Sequence, residues 1–176
     1  LARAATERLG ADRVSTDPLG RGYTAFLREQ AARLPADTVV VTCCDALRIQ
    51  NEGWAWDIRA ILDLHHDAAM VTPRVFDATG LLASAGEHFG FDGSAGAPDV
   101  GRAPHDSGYH GWVFCQRSVG APAADLFAAR AGFLGEALAR TPDVPRRLLG
   151  LWLAGFARRE QVRTVYTPFW IARQLQ

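Results

Sequence analysis

The chain has 176 residues and is 48% hydrophobic, which is enough for one domain with a buried core. Its 19 basic and 19 acidic residues give a net charge of zero, so no overall positive field favours nucleic acid as a partner. Every basic residue other than histidine is arginine, and the absence of lysine excludes a Schiff-base or P-loop lysine within this chain.

The first part of the chain predicts two helices ahead of a buried strand. Residues 1–9 are predicted as a short helix and 12–16 as a brief strand. A second helix is predicted over 23–34, with Phe26, Leu27, Ala31 and Leu34 on its inner side. Since the chain opens in helical sequence and its only methionine is Met70, we expect it to be part of a longer protein.

The strand over 38–44 is the predicted centre of the fold. It is an unbroken run of β-branched and small apolar residues, short enough to be a strand buried on both faces. Cys43 and Cys44 within it are interpreted as small buried hydrophobic residues in a reducing compartment. Asp45 follows at the carboxyl end of the strand. Because ligands of open α/β sheets bind outside the carboxyl ends of the strands, we expect the chemistry of the protein there.

Helices and strands alternate through the rest of the chain. The patterns predict helices over 54–64, 123–131 and 141–159, strands over 68–76, 109–119 and 163–166, a turn at 77–80 leading into 81–83, and an irregular segment over 86–111. This alternation indicates a single α/β domain over 1–176 with a parallel, doubly wound sheet. In the irregular segment, His105, Asp106, Tyr109 and His110 could meet a polar substrate or face water.

The glycines before the second helix allow a dinucleotide-binding interpretation. Gly20 and Gly22 stand in a G-x-G-x-x-A pattern, and Asp45 ends the next strand at about the spacing of a nicotinamide-cofactor fold. That fingerprint needs a buried strand leading directly into the first glycine. Here the preceding residues supply one large aliphatic side chain, and Pro18 interrupts any strand ladder, which disfavours the interpretation.

Two further patterns have competing interpretations. Asp63, His66 and Asp67 share one helix face and could ligate a metal, but a solvated polar face is favoured. The apolar stretch 148–156 has paired arginines at both ends and could lie on an anionic membrane surface. A core helix whose arginine ends reach solvent explains the same pattern and is favoured.

Several short motifs follow one another in a characteristic order. They are Gly20-Arg21-Gly22, 39–47 (VVVTCCDAL), Gly53-Trp54, 72–86 (TPRVFDATGLLASAG), Val119-Gly120-Ala121, Ala131-Gly132-Phe133, Pro142-Asp143-Val144 and 164–168 (TVYTP). In this order they resemble the latter two-thirds of an inverting family 2 glycosyltransferase domain of the GT-A fold. The resemblance covers nearly the whole chain. It implies a GT-A-like, doubly wound, mostly parallel sheet flanked by helices, without the first βαβ portion that grips the nucleobase.

The resemblance also implies an activity and its partners. A sugar would pass, with inversion, from a nucleotide-sugar donor to a hydroxyl of a glycan, polysaccharide or lipid-linked acceptor. A divalent cation, Mg or Mn, is the implied cofactor. The implied roles are Gly20, Arg21, Gly22, Cys43 and Asp45 in donor binding, Asp45 as metal ligand, Asp143 as catalytic base, and Gly120, Ala121 and His110 on the acceptor side.

The sequence departs from the family pattern at several points, and the departures keep an alternative function open. The basic pair usual after the Gly120-Ala121 step and the histidine usual beyond the last strand are absent. Cys43 occupies the first position of the Asp-x-Asp motif, and Pro142 stands where a glutamate is usual. Asp143 could then be only the N-cap or first-turn acid of the helix that follows it. The alternative function is a non-catalytic GT-A-like module that binds a glycan or another partner. A cytoplasmic location is expected, with peripheral contact at the inner face of the membrane as a further expectation.

Overall fold

The computed structural model describes residues 22–44, 46–91 and 95–175, so the helix predicted over 1–9 and the strand over 12–16 lie outside the described residues. The helices are α1 Tyr23–Ala32, α2 Trp54–Leu64, α3 Ala131–Ala139 and α4 Arg146–Arg159, with a 3₁₀ segment at Tyr109–Phe114. The strands are β1 Val39–Cys43, β2 Leu47–Ile49, β3 Ala68–Phe76, β4 Leu82–Ser84, β5 His88–Phe89, β6 Ala95–Gly96, β7 Arg117–Val119, β8 Leu126–Arg130 and β9 Arg163–Gln174.

The main sheet has the strand order β1-β8-β3-β9-β2, with β4 paired to β3 and β7 paired to β9. β3 and β9 are parallel, whereas β8 is antiparallel to both of its neighbours, β1 and β3. The strands β1, β3 and β9 therefore run in one direction and β8 runs in the other. As a result, the amino end of β8 lies at the same edge of the sheet as the carboxyl end of β1.

Helices cover both faces of this sheet, which makes the structure α/β. On one face, α1, α3 and α4 pack against β8 and β3 around Phe127 and Met70, both fully buried. On the other face, α2 packs against β3, β8 and β9, with Ile58 and Leu62 in the core. The predicted mostly parallel sheet is in fact mixed: among the described strands of the main sheet only β3 and β9 pair in parallel, and β2, β4, β7 and β8 each pair antiparallel to their neighbours.

The predicted helix over 54–64 and strand over 68–76 are confirmed with the same bounds. In α2 the apolar positions recur with the helical period, and Trp54, Ile58, Ile61 and Leu62 are buried. All nine residues of β3 are buried, as expected of a strand with a sheet neighbour on each side and helices above and below. At the following turn, Asp77 accepts hydrogen bonds from Thr79 and from the amide of Leu81, and the chain enters β4 as predicted.

The helix predicted over 123–131 is wrong. Residues Leu126–Arg130 form β8, and the helix begins only at Ala131. The alanines of this segment favour a helix locally, but Ala128 and Ala129 are fully buried between β1 and β3, where small side chains fit under helices on both faces. Tertiary pairing therefore overrides the local preference.

Other predictions differ from the structure as well. The helix predicted over 141–159 begins only at Arg146. The strand predicted over 109–119 is a 3₁₀ segment followed by the short strand β7. The last strand does not end before Pro168 but continues to Gln174, and its register against β3 shifts in that region, which accommodates a residue that cannot donate to the ladder. The strand predicted to be buried on both faces, β1, is half-buried at four of its five positions, because within the described ranges it pairs only with β8.

The apolar stretch 148–156 lies in α4, and it packs into the core as favoured from its sequence. Leu149 and Leu153 are fully buried, whereas Leu148 and Trp152 are 38% and 47% exposed. Among the described residues, no helix has the length and apolarity needed to cross a membrane.

Candidate functional site

The candidate site lies where β1 ends and β8 begins. β1 ends at Cys43, and the backbone amide of Cys44 donates to the carbonyl oxygen of Asp125, 3.0 Å away, just before β8. The predicted metal ligand, Asp45, is the next residue along the chain and lies outside the described residues, as do Gly20 and Arg21. The described residues nearest to Asp45 in the chain are Cys44 and Ala46, and Cys44 joins this edge to Asp125.

The amino end of α1 meets this edge. Gly22 is the residue before the helix and has φ 91°, a left-handed conformation that favours glycine. Tyr23 follows it, and its side chain contacts the hydroxyl of Thr42 on β1. Burial raises the pKa of Tyr23, while the contact with Thr42 and the charge of Arg146 oppose that rise. Two predicted donor-site residues therefore flank this contact: Gly22 precedes Tyr23 in the chain, and Cys43 follows Thr42.

An acidic residue and a basic residue that sequence reasoning missed stand at the same edge. Asp125 forms an ion pair with Arg146, the first residue of α4, with 3.0 Å between the carboxylate oxygen and Nη2. Both side chains remain about 40% exposed, at 43% and 40%. A guanidinium group held at an open edge can bind a phosphate group with two parallel hydrogen bonds. The sequence analysis did not identify Asp125 as a site residue, because the segment around it was predicted to be a helix.

The predicted acceptor-side residues Gly120 and Ala121 lie against Glu87. Glu87 and Ala121 exchange two backbone hydrogen bonds of 2.9 Å each. A Cβ atom on Gly120 would lie 2.9 Å from the carbonyl oxygen of Glu87, so only glycine fits there. Burial raises the pKa of the Glu87 carboxyl, and the negative charge of Asp125 raises it further. A half-buried carboxyl beside a second carboxylate is the kind of group found at functional sites.

The predicted catalytic base, Asp143, lies beside α1 rather than inside α4. Its carboxylate is 69% exposed and forms a 3.0 Å ion pair with Arg28. Arg28 is six residues beyond Gly22, which corresponds to about 9 Å along the helix axis. The interpretation of Asp143 as an N-cap or first-turn acid is wrong, since Pro145 precedes the helix and its first turn holds no acidic residue.

His110, the remaining acceptor-side candidate, lies in the 3₁₀ segment Tyr109–Phe114. It is exposed, has φ 49°, and contacts the ring of Tyr109 edge-on at 4.2 Å between centroids. Rings of this segment stack on Arg74 of β3 and Arg117 of β7, and the segment is separate in the chain from the loop that holds Gly120.

The donor atoms around the edge suit a hard cation only in part. Tyr23, Thr42 and Asp125 supply oxygen atoms, which Mg²⁺ and Mn²⁺ prefer, whereas the Cys43 thiol does not suit these ions. Within the described ranges, no group of three or more histidine, cysteine, aspartate or glutamate side chains is placed to hold a metal ion. A cation at this edge would therefore need oxygen ligands beyond those of Tyr23, Thr42 and Asp125.

The three metal candidates predicted to share one helix face do not do so, because α2 ends at Leu64 and only Asp63 belongs to it; His66 and Asp67 lie in the turn before β3. The two carboxylates bind arginines. Asp63 binds Arg59 at 2.7 Å and Arg130 at 2.8 Å, and Asp67 binds Arg163 at 2.8 Å. These partners lower the pKa of both carboxyl groups through hydrogen bonds. Both carboxylates are exposed and paired with arginines, and the polar-face interpretation holds only for Asp63, the one of the three that lies on α2.

A cavity of about 280 Å³ lies between α3 and α4, lined in part by Arg140, Trp152 and Arg159. It is close to the carboxyl end of α4, whereas Arg146 of the candidate site is at the amino end of the same helix. The cavity is therefore not part of the candidate site, which is an open edge.

Comparison of the chain with models of known protein families found no match, and no curated protein matches it.

Proposed function

We propose that the chain forms part of an inverting glycosyltransferase that moves a sugar from a nucleotide-sugar donor to a hydroxyl acceptor. The observation that carries the proposal is the meeting of Gly22, Cys43, Asp125 and Arg146 at the carboxyl end of β1, the strand that Asp45 follows in the chain. These are residues that the order of sequence motifs assigns to the donor, together with a carboxylate and a guanidinium that it did not identify. Open α/β sheets bind their ligands at such an edge.

The donor side of the proposal rests on charge. A nucleoside diphosphate leaves with negative charge, and a divalent cation held by Asp45 would neutralise part of it. Among the described residues, Arg146 supplies a cationic group at this edge, and its ion pair with Asp125 holds the guanidinium 3.0 Å from that carboxylate. In the proposal, Arg146 binds a phosphate oxygen of the donor, and Tyr23 supplies a hydroxyl next to the position that Cys43 occupies.

Two carboxylates compete for the role of base that deprotonates the acceptor hydroxyl. Asp143 is implied by the motif order and is held by Arg28. Glu87 lies next to Gly120 and Ala121, and its pKa is raised by burial and by Asp125, which makes it a stronger base than an ordinary carboxylate. Each residue can be tested separately, because they belong to different loops.

The test is release of UDP or GDP from a panel of nucleotide sugars by the full-length protein, with Mn²⁺ and after chelation. The proposal predicts cation-dependent release that falls by about 100-fold or more in kcat/KM for Asp45→Ala. Replacing the true base, by Asp143→Asn or Glu87→Gln, lowers kcat by a comparable factor, while replacing the other carboxylate does not. Asp57→Asn, an exposed change of the same charge on α2, is the control. Release that survives Asp45→Ala undiminished contradicts the proposal.

A second function, a non-catalytic binding module, is favoured by two local observations. Cys43 replaces a carboxylate, and its Sγ approaches the carbonyl oxygen of Cys44 at 3.3 Å. Asp143 is engaged with Arg28, which stands about 9 Å along α1 from Gly22. Under this proposal the edge binds a glycan or another partner without turnover, and the release assay stays silent for the wild-type protein with every donor.

A further inference from the structure

Two arginines lie in the protein interior, one on β3 and one on β7. Arg74 of β3 is 6% exposed, and the side chain of Arg117 of β7 is 10% exposed. Both lie near Tyr166 of β9, which is fully buried and pairs with Arg117 in the strand register. A buried charge is costly unless it is paired and hydrogen-bonded. The partners of these two guanidinium groups therefore need to be accounted for.

Aromatic rings cover the faces of both groups. The guanidinium carbon of Arg74 is 4.8 Å from the ring centroid of Phe76 and 4.6 Å from that of Phe114. That of Arg117 is 4.6 Å from the centroid of Trp112 and 4.3 Å from that of Tyr166. Stacking of this kind stabilises the cations, but it leaves their N–H groups, which point out from the edges, to find separate acceptors.

Those edge N–H groups are only partly used. Arg74 donates from Nη2 to the carbonyl oxygen of Pro104, and Arg117 donates from Nη2 to that of Ala85 at 3.1 Å. Nε of Arg74, and Nε and Nη1 of Arg117, are buried and have no partner with hydrogen-bonding geometry. Nε2 of His88 is in the same condition. Buried polar groups without a hydrogen-bond partner are rare in folded proteins, so a ligand that accepts hydrogen bonds is one explanation for these N–H groups.

The nearby carboxylates do not balance the charge. Asp99 is 3.8 Å from Nη2 of Arg117, but one of its oxygens is bound by Arg102 at 2.9 Å. Asp106 also binds Arg102, at 3.1 Å. In the described part of the chain, Arg74 has no ion-pair partner. Burial lowers the pKa of both Arg74 and Arg117, against opposing contributions from Tyr166 to both groups and from Asp99 to Arg117.

The 3₁₀ segment Tyr109–Phe114, here called the aromatic strap, separates the arginines from solvent. Its central residue, Val113, is fully buried, and the carbonyl oxygen of Val113 accepts a 2.7 Å hydrogen bond from Tyr166. Trp112 and Phe114, on either side, are each 41% exposed while their rings rest on the two guanidinium groups. The strap is thus held at its middle, and its two flanking rings are the ones that a ligand would displace.

We propose that Arg74 and Arg117 form a binding site for a phosphate group, which enters beneath the rings of Trp112 and Phe114 and accepts hydrogen bonds from the unpartnered Nε and Nη1 groups. A phosphate group carries enough negative charge to balance both guanidinium groups and has several oxygens for the three N–H positions. The site does not depend on the proposed glycosyltransferase activity, since none of its residues belongs to the edge around Asp45.

The test is titration of the full-length protein with inorganic phosphate, against chloride at equal ionic strength, followed by calorimetry and tryptophan fluorescence. Saturable binding is expected for the wild-type protein. Arg74→Met and Arg117→Met are each expected to weaken it about 10- to 100-fold, the loss that follows from removing charged hydrogen bonds. Arg140→Met is the matched control, because Arg140 also stacks on a ring, that of Phe156 at 5.5 Å, but its side chain is 62% exposed.

Other results decide the proposal when a variant does not fold. The wild-type protein alone overturns the proposal if phosphate gives no saturable signal. A parallel titration with acetate extends this test, and saturable binding of acetate without binding of phosphate would assign the site to carboxylates instead. Trp112→Phe should remove the fluorescence response, and a response that persists would place binding elsewhere. Arg117→Lys keeps the charge but not the Nε donor, so undiminished binding in this variant also overturns the assignment. Methyl phosphate in a parallel titration tells a phosphate group of a larger ligand from free phosphate, and binding of either supports the site.

Discussion

Replacing Gly150 of α4 by alanine is expected to destabilise the protein, because this helix lies directly on the loop that leads from Gly120 into β8. A Cβ atom at Gly150 would lie 2.7 Å from the carbonyl oxygen of Pro122. A carbon and a carbonyl oxygen approach to about 3.3 Å, so the helix or the loop must move by about 0.6 Å. Overpacking of this kind costs about 1–3 kcal/mol, against about 0.5–1 kcal/mol gained when a helical glycine becomes alanine.

Gly155 provides the control in the same helix. It is exposed, and a Cβ there would meet nothing within 4 Å, so Gly155→Ala should only gain the helical contribution of about 0.5–1 kcal/mol. The difference between the two variants isolates the contact with Pro122 and is expected to be about 1–3 kcal/mol. Urea unfolding followed by circular dichroism measures it, provided the m values agree. Equal stabilisation by both substitutions would refute the described packing of α4 on the loop.

Three further changes test the surroundings of the site. Thr72→Val should cost about 1–3 kcal/mol of unfolding free energy, because the amide of Ala123 donates to the Thr72 hydroxyl at 2.9 Å, while Thr72→Ser should cost less; equal losses in urea unfolding would argue against that hydrogen bond. Arg28→Met should lower the free energy of unfolding by about 1–3 kcal/mol, since Arg28 donates to the carbonyls of Leu138 and Thr141. Asp143→Asn should change it by less than about 1 kcal/mol, because its ion pair with Arg28 is exposed. The reverse ranking would be inconsistent with these contacts. Burial raises the pKa of Glu87, so folding favours its protonated form; this contribution is present below the pKa of the unfolded chain and is lost as pH rises through the folded pKa. Glu87→Gln should therefore gain stability relative to the wild type as the pH is raised from about 4 to 7, and a difference that does not change with pH would count against a buried Glu87 carboxyl.

The elements that the sequence predicted well are those whose burial matches their own periodicity. Every position of β3 is buried, so its apolar run is unambiguous, and α2 places its apolar residues at helical spacing on one covered face. The prediction for β8 was wrong because its alanines pack well only between β1 and β3, and no residue pattern within the segment indicates those neighbouring strands. Strand pairing over such a distance in the chain is a tertiary property that local preference does not encode.

The site shows the same division. The resemblance assigned Gly22 and Cys43 to donor binding without placing them relative to each other. In the structure Gly22 precedes Tyr23, and the Tyr23 side chain contacts Thr42, the neighbour of Cys43. Asp125 and Arg146 could not be placed, because their ion pair requires β8 to be a strand and α4 to begin at Arg146 rather than at Thr141. The buried pair Arg74 and Arg117 was likewise missed, since a long irregular segment gives no periodic pattern that would show what it covers.

The most direct test of the glycosyltransferase account is calorimetric titration of the full-length protein with UDP or GDP in the presence and absence of Mn²⁺, repeated for Asp45→Asn. The account predicts binding of one of these nucleotides that requires the cation and weakens at least about tenfold in the variant, with no change in Asp57→Asn. Binding that ignores both the cation and the Asp45 substitution, or no binding of either nucleotide, would contradict it.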